Sequence, residues 1–171
     1  MISYIFAILC GILFLLADQL TKYFVSVNFF LGESREFLNG FIDLTYIHNR
    51  GGAWGMLYGR TYILIPVTLV IMVLCIILYA KYGKKSRLLL WAISLVLSGG
   101  IGNMIDRIFR DGNVIDFLHF EFFPAFPVFN IADCAIVIGS GLLILYFVLD
   151  AIREEKQKKA KNLSEHSDAK D

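Results

Sequence analysis

Histidine, cysteine and proline are scarce, at three apiece in 171 residues. His48, His119 and His166 lack the HExxH spacing that a zinc protease needs to place two ligands on one helix face. Cys10, Cys75 and Cys134 are odd in number and all fall in apolar segments, which argues against a disulfide framework and reads as small packed side chains. Charge is sparse too, at 18% of residues against 57% hydrophobic, with a mean hydropathy of +0.65. A soluble domain is about half apolar at most, so the class is membrane protein. No basic stripe accompanies the formal net charge of +1, which excludes nucleic acid as a partner. There is no GxSxG elbow, and no Walker or dinucleotide glycine motif. The N-terminus lacks the basic region of a cleavable signal peptide. Its apolar run ends in Asp18-Gln19-Leu20-Thr21-Lys22, without a small-residue cleavage site, and reads as a retained span.

What is present is a set of uncharged or nearly uncharged runs, each close to the about 20 residues that cross a bilayer. They predict spans at about 5–27, 61–81, 88–106 and 128–150. Pro66 sits where it can bend the second span, and Ser98-Gly99-Gly100-Ile101-Gly102 supplies small residues for close helix approach in the third. The intervening segment 28–60 is mixed. Within it Phe41–Ile47, rich in β-branched and aromatic residues, follows the turn signal Asn39-Gly40 and predicts one or more short strands outside the bilayer. The stretch 106–116 reads as polar and turn-like, and 117–127, with Pro124 and Pro127, as an aromatic interfacial belt or loop. Residues 1–155 form one predicted membrane domain, and 156–171 a charged tail that is disordered at its end. The loop 81–87 and the tail from Arg153 carry ten Lys and Arg, against five in 28–60 and 106–127. That bias places both termini in the cytoplasm and segment 28–60 at the outer face.

The polar residues then gather toward that outer face, and a carboxylate near hydrocarbon is a functional-site hypothesis by default. Asp18 and Lys22, at i and i+4, share one face of the first helix and fit an internal ion pair. Asn103, Asp106 and Arg107 share a face of the third, either as a helix-end polar cluster or as a clamp for a substrate backbone or headgroup. Asn130 and Asp133 lie in the first turns of the fourth. Asp116 is seventeen residues before Asp133, across a loop that can bring the two carboxyls together. Two such groups share one proton, so that one serves as base toward water while the other polarises a carbonyl. Spacing alone leaves open that any of these carboxylates is a structural partner of Arg107 or Arg110.

Five blocks in order carry a resemblance: Asp18–Lys22, Asn49-Arg50-Gly51-Gly52-Ala53-Trp54-Gly55, Gly99–Arg107, Val114–Phe117 and Phe129–Asp133. Over nearly its whole length the chain resembles the lipoprotein signal peptidases, the type II signal peptidases of bacteria. The resemblance implies an all-α membrane protein with four transmembrane helices, a small extracytoplasmic β-cradle and a short surface helix. It implies an intramembrane aspartic endopeptidase of the bacterial cytoplasmic (inner) membrane, cutting diacylglyceryl-modified prolipoproteins just before the lipidated cysteine. Asp116 and Asp133 match the catalytic pair. Asn49, Asn103, Arg107 and Asn130 match the polar shell that positions the scissile backbone, and Asp18, Lys22 and Asp106 match stabilisers of the site. Implied partners are the prolipoprotein, membrane lipid and cyclic peptide antibiotics such as globomycin, with no metal, no cofactor and a monomeric enzyme. The second block departs from the family's more usual Ala-Ala-Phe at Gly52-Ala53-Trp54, which bears on how the outer loop covers substrate. Two rivals remain: an ion or proton carrier using Asp18, Asp106, Asp116 and Asp133 as a relay, and a non-enzymatic assembly subunit.

Overall fold

The structure is a computed structural model that describes residues 2–83 and 86–168. Four helices are long and apolar enough to cross a membrane: α1 (Ile2–Asn28), α2 (Thr61–Tyr82), α3 (Arg87–Phe109) and α4 (Ile131–Asp168), the last through Ala160. The spans expected from the hydrophobic runs are thus present. Lys84 and Lys85 of the basic loop, and residues 169–171, lie outside the described residues.

α3 is the helix the others pack around. In its apolar window 61% of residues are buried, against 6% for α2, although α2 is the more hydrophobic. α2 therefore presents most of its surface outward, as a lipid-facing helix does, and Pro66 sits within it without ending it. The glycines of α3 explain the close packing. A Cβ at Gly99 would collide with the carbonyl oxygen of Ala132 on α4, and one at Gly102 would lie 2.6 Å from Asp18 Oδ2 on α1. Ser86 caps the start of α3, its Oγ accepting the Leu89 N–H at 3.4 Å. Cys75, Leu89, Ile93, Val96 and Tyr146 close the bundle near that end.

At the other end of α3 lies a three-stranded antiparallel sheet in the order β1 (Ser34–Leu38), β2 (Ile42–Asn49), β3 (Val114–Phe120). Asn39-Gly40 makes the expected turn, with Gly40 at φ 72°. β3 was not expected: it occupies stretches read as polar turn and aromatic loop. Its alternation explains it, because Ile115 and Phe117 pack with Tyr46 against Val25 and Phe29 of α1, while Asp116 points the other way. The short surface helix is a single 3-10 turn, Ala53–Gly55, with Trp54 at φ 54°.

Two boundaries also shift. α4 starts at Ile131 rather than near 128, because Phe129 pairs with β3: the Phe117 and Leu118 N–H groups donate to its carbonyl at 3.0 and 2.8 Å, and its own N–H donates to Leu118 O at 3.0 Å. The charged tail, expected to be disordered at its end, continues α4 as helix to Asp168.

Candidate active site

Asp133 owes its place to the way α4 begins. Asn130 Oδ1 accepts the Asp133 N–H at 2.9 Å, and Asp133 Oδ2 accepts the Asn130 N–H at 3.1 Å. This is a reciprocal capping box, which satisfies two backbone donors at the helix start. A further donor there, the Ala132 N–H, goes to Asp18 Oδ1 of α1 at 2.9 Å.

Asp116 is positioned by strand pairing. Asn49 pairs with Val114, so Asp116 lies two residues along on the same face, and Asn49 Nδ2 reaches its Oδ2 at 2.9 Å. Asn49 is itself oriented by the Gly51 N–H, which donates to its Oδ1 at 2.8 Å. The Phe129–Leu118 pairing brings the chain back beside β3, so the next residue, Asn130, donates through Nδ2 to Asp116 Oδ1 at 2.7 Å. Asn130 thus touches both acids.

Asn103 on α3 completes the link. Its Nδ2 donates to Asp133 Oδ1 at 2.8 Å, while its Oδ1 accepts from Asn130 Nδ2 at 3.1 Å and from Lys22 Nζ at 3.0 Å. Lys22 is wholly buried and lies 2.9 Å from both Asp18 Oδ2 and Asp106 Oδ2. Arg110 Nε adds a contact of 3.1 Å to Asp106 Oδ1. Two buried carboxylates are therefore matched by two cations, as buried charge requires. Asp106 Oδ2 also accepts the Ile115 N–H at 3.2 Å, tying the charge cluster to β3.

Both acids open on a cavity of about 350 Å³. Its polar side carries Asn49, Asn103, Arg107, Asp116 and Asp133; its apolar side carries Leu64 of α2, Ile136 and Val137 of α4, Phe126, Phe129 and Trp54. Asp116 is 1% exposed. Burial, then the neighbouring charge of Asp133, pushes its pKa from 3.8 up to about 7. Arg107 donates through Nη2 to Gly51 O at 3.1 Å and through Nη1 to Asn103 O at 3.4 Å, and its buried Nε has no protein acceptor among the described residues. That is a free donor at a cavity wall.

All nine residues singled out from the sequence converge: Asp116, Asp133, Asn49, Asn103, Arg107 and Asn130 at or beside the cavity, and Asp18, Lys22 and Asp106 behind it. Sequence reasoning named Arg110 as a possible carboxylate partner without saying of which acid, and it missed the role of Gln19. The i, i+4 spacing of Asp106 and Arg110 was a signal for that acid. Gln19 Nε2 bridges Asp18 Oδ2 at 3.0 Å and Gly102 O at 3.2 Å; it lies in the first motif block, but its own part there was not read. Among the described residues, no group of three or more His, Cys, Asp or Glu side chains is placed to hold a metal ion.

The family model described as "Signal peptidase (SPase) II" matches residues 10–149. The lipoprotein signal peptidase of Enterococcus faecalis is 41% identical over 145 residues, covering 85% of this chain and 87% of that protein. That of Halalkalibacterium halodurans is 39% identical over 163 residues, covering 95% and 99%. Two solved bacterial membrane enzymes, determined by the in meso method at 2.3 Å and 1.9 Å resolution, share the fold. They superpose with TM-scores of 0.80 and 0.75, each at 34% identity, covering 85% and 82% of this chain and 88% and 91% of theirs. With the match spanning most of the chain and the acids, amides and buried charges converging on one cavity, this chain belongs to the signal peptidase II family.

Proposed function

We propose that this protein is an intramembrane aspartic endopeptidase that removes the signal peptide of diacylglyceryl-modified prolipoproteins, cutting just before the lipidated cysteine. One observation carries the reading: Asp116 and Asp133, from a strand and a helix, line one cavity and are joined through Asn130. The two acids share one proton, and in this reading Asp116, buried on the strand, carries it while Asp133 acts as the base. Asp133 takes a proton from water as the water oxygen bonds to the scissile carbonyl carbon. Asp116 gives its proton to the carbonyl oxygen, which yields a gem-diol. The C–N bond then breaks, the proton on Asp133 passes to the leaving nitrogen, and a gem-diol hydroxyl returns a proton to Asp116. Arg107 and the asparagine amides hold neighbouring carbonyls of the substrate backbone.

The apolar wall of α2 and α4 residues suits a lipid-bound substrate, whose acyl chains stay in hydrocarbon while the peptide bond meets the acids. Both termini lie in the cytoplasm and the cavity faces the outer leaflet of the bacterial inner membrane, in keeping with the Lys and Arg bias. The enzyme acts as a monomer without metal or cofactor, and globomycin-type cyclic peptides occupy the same cavity. The relay alternative calls for polar groups through the full depth of the bundle. Here the buried charged residues (Asp18, Lys22, Asp106 and Asp116) gather at the sheet end, and the opposite end is closed by apolar packing.

The test is incubation of the purified chain with a diacylglyceryl-modified prolipoprotein, with and without globomycin. Release of the signal peptide with a new N-terminal lipidated cysteine, blocked by globomycin, is the expected result. No cleavage of the lipidated substrate by folded protein overturns the proposal.

A further inference from the structure

The cavity runs deeper into the bundle than the acids, and its deep part holds one polar group that the hydrolytic reading leaves unused. Gly100 of α3 and Ile136 of α4 line it one helical turn, about 5 Å, beyond Asn103 and Asp133 on the side away from the sheet. Thr68 of α2 lines the same level, since a Cβ built on Gly100 would lie 3.8 Å from its Cγ2. Packing does not demand Gly100 as it demands Gly99 and Gly102. A methyl there would meet only Met72 and Thr68, at ordinary contact distances, so the space it leaves belongs to the cavity.

Between Tyr62 and Tyr79, Thr68 carries the one hydroxyl on an otherwise apolar helix. A hydroxyl on a spanning helix commonly donates to the carbonyl one turn back, as Thr21 of α1 does to Ala17 O at 2.7 Å. Thr68 departs from that habit: among the described residues its hydroxyl has no hydrogen-bond partner. An unpaired donor in an apolar wall gains from any acceptor brought to it.

We propose that Thr68 is a specificity-determining residue that reads the lipid on the substrate, its hydroxyl donating to an ester carbonyl of the diacylglyceryl group. The inference deepens the protease reading and rests on it. At this depth a substrate offers few acceptors. The membrane-crossing part of a signal sequence is helical, with its backbone carbonyls bonded internally. The acyl chains beyond their first carbon carry none. The ester carbonyls are the exception. They lie a few bonds from the cysteine whose peptide bond meets the acids, a reach that matches the one turn, about 5 Å, between the acids and Thr68. A hydroxyl so placed favours a cysteine bearing ester-linked chains over an unmodified one.

The test separates this contact from the protease reading. Full-length wild type, Thr68→Val and Thr68→Ser are assayed in detergent micelles on two synthetic prolipoprotein peptides. One carries ester-linked and the other ether-linked chains on the cysteine, and thermal melts are the folding control. Thr68→Val keeps the shape of the side chain and loses the donor. On the ester substrate it is expected to raise KM by roughly three- to tenfold at unchanged kcat, the scale of one neutral hydrogen bond, with Thr68→Ser near wild type. On the ether substrate, wild type and Thr68→Val are expected to be equal. Equal KM for the two on the ester substrate overturns the proposal and leaves the protease reading standing. The same rise on both substrates overturns the ester contact. No cleavage of either substrate by folded wild type overturns the protease reading, and this proposal with it.

Discussion

Asn130 Nδ2 donates to Asp116 Oδ1 at 2.7 Å, across fourteen residues of chain. Since Asn130 also caps the helix whose first turn carries Asp133, one amide side chain measures out the positions of both acids. Asn130→Ala removes that link and the cap together. Its melting temperature is expected to fall by the equivalent of about 1 kcal/mol for the lost cap. Prolipoprotein cleavage is expected to drop much further than stability, which a gel assay on lipidated substrate measures beside a thermal melt.

The acids themselves separate chemistry from folding. In Asp133→Asn the new amide oxygen still accepts the Asn130 N–H, so the capping box survives. Asp133→Ala loses it, at about 1 kcal/mol. Cleavage is expected to fall by at least about 10³-fold in both and in Asp116→Asn, the scale of a lost general acid or base. The asparagine variants each turn an NH2 toward an amide donor (Asn103 for Asp133, Asn49 or Asn130 for Asp116), a smaller loss than removing both acceptors, so the alanine variant should melt earliest. Full activity in Asp116→Asn or Asp133→Asn removes the dyad.

Asp116 also sets a pH dependence. Its pKa rises from 3.8 to about 7 on folding, so the folded state binds the proton more tightly. The stability that proton confers is present below about pH 4 and is lost as pH rises from there to about 7. Asp116→Asn is expected to flatten the melting temperature across that window and to be the more stable variant above it. If Asp116 is the proton donor of the proposed mechanism, wild-type activity is expected to decline as pH passes about 7. An unchanged melting profile in the variant counts against the assigned shift.

Lys22 holds two buried carboxylates and the side-chain oxygen Oδ1 of Asn103. Lys22→Met strands a negative charge and is expected to destabilise by about 3–5 kcal/mol. Adding Asp18→Asn restores balance, with Asp106 facing Arg110 alone, and is expected to recover much of that loss. Additive losses in the double variant, read by thermal melts, contradict the shared-charge account.

Gly99→Ala tests the packing of α3 on α4. The new methyl meets the Ala132 carbonyl, next to Asp133, so α4 must shift at its start. Overpacking of this kind costs about 1–3 kcal/mol. The expected signature is a fall in kcat larger than the change in KM, in protein that remains folded.

The helices were legible in the sequence because hydrophobic runs of bilayer length have few other readings, and β2 because Asn39-Gly40 precedes alternating residues. β3 was not, because Val114–Phe120 is short and carries apolar residues on both faces, with only Asp116 and His119 polar, so its period of two was masked. The site residues were readable as polar intruders in apolar surroundings and from their motif blocks. Their connections were not: the capping box reads only after the α4 start is known, and the Lys22–Asn103 contact joins residues 81 apart. Arg107 was read as a clamp or an acid's partner; which backbone carbonyls anchor its fork, those of Gly51 and Asn103, was not readable.

The two-way pairing of Phe129 with Leu118 has a mechanical result. It sets the reach from Asp116 to Asp133 by main-chain bonds within a few residues of each, rather than by how four long helices lean on one another. Bilayers of different thickness tilt spanning helices. A gauge built from strand backbone would hold the Asp116–Asp133 spacing steady under such tilts.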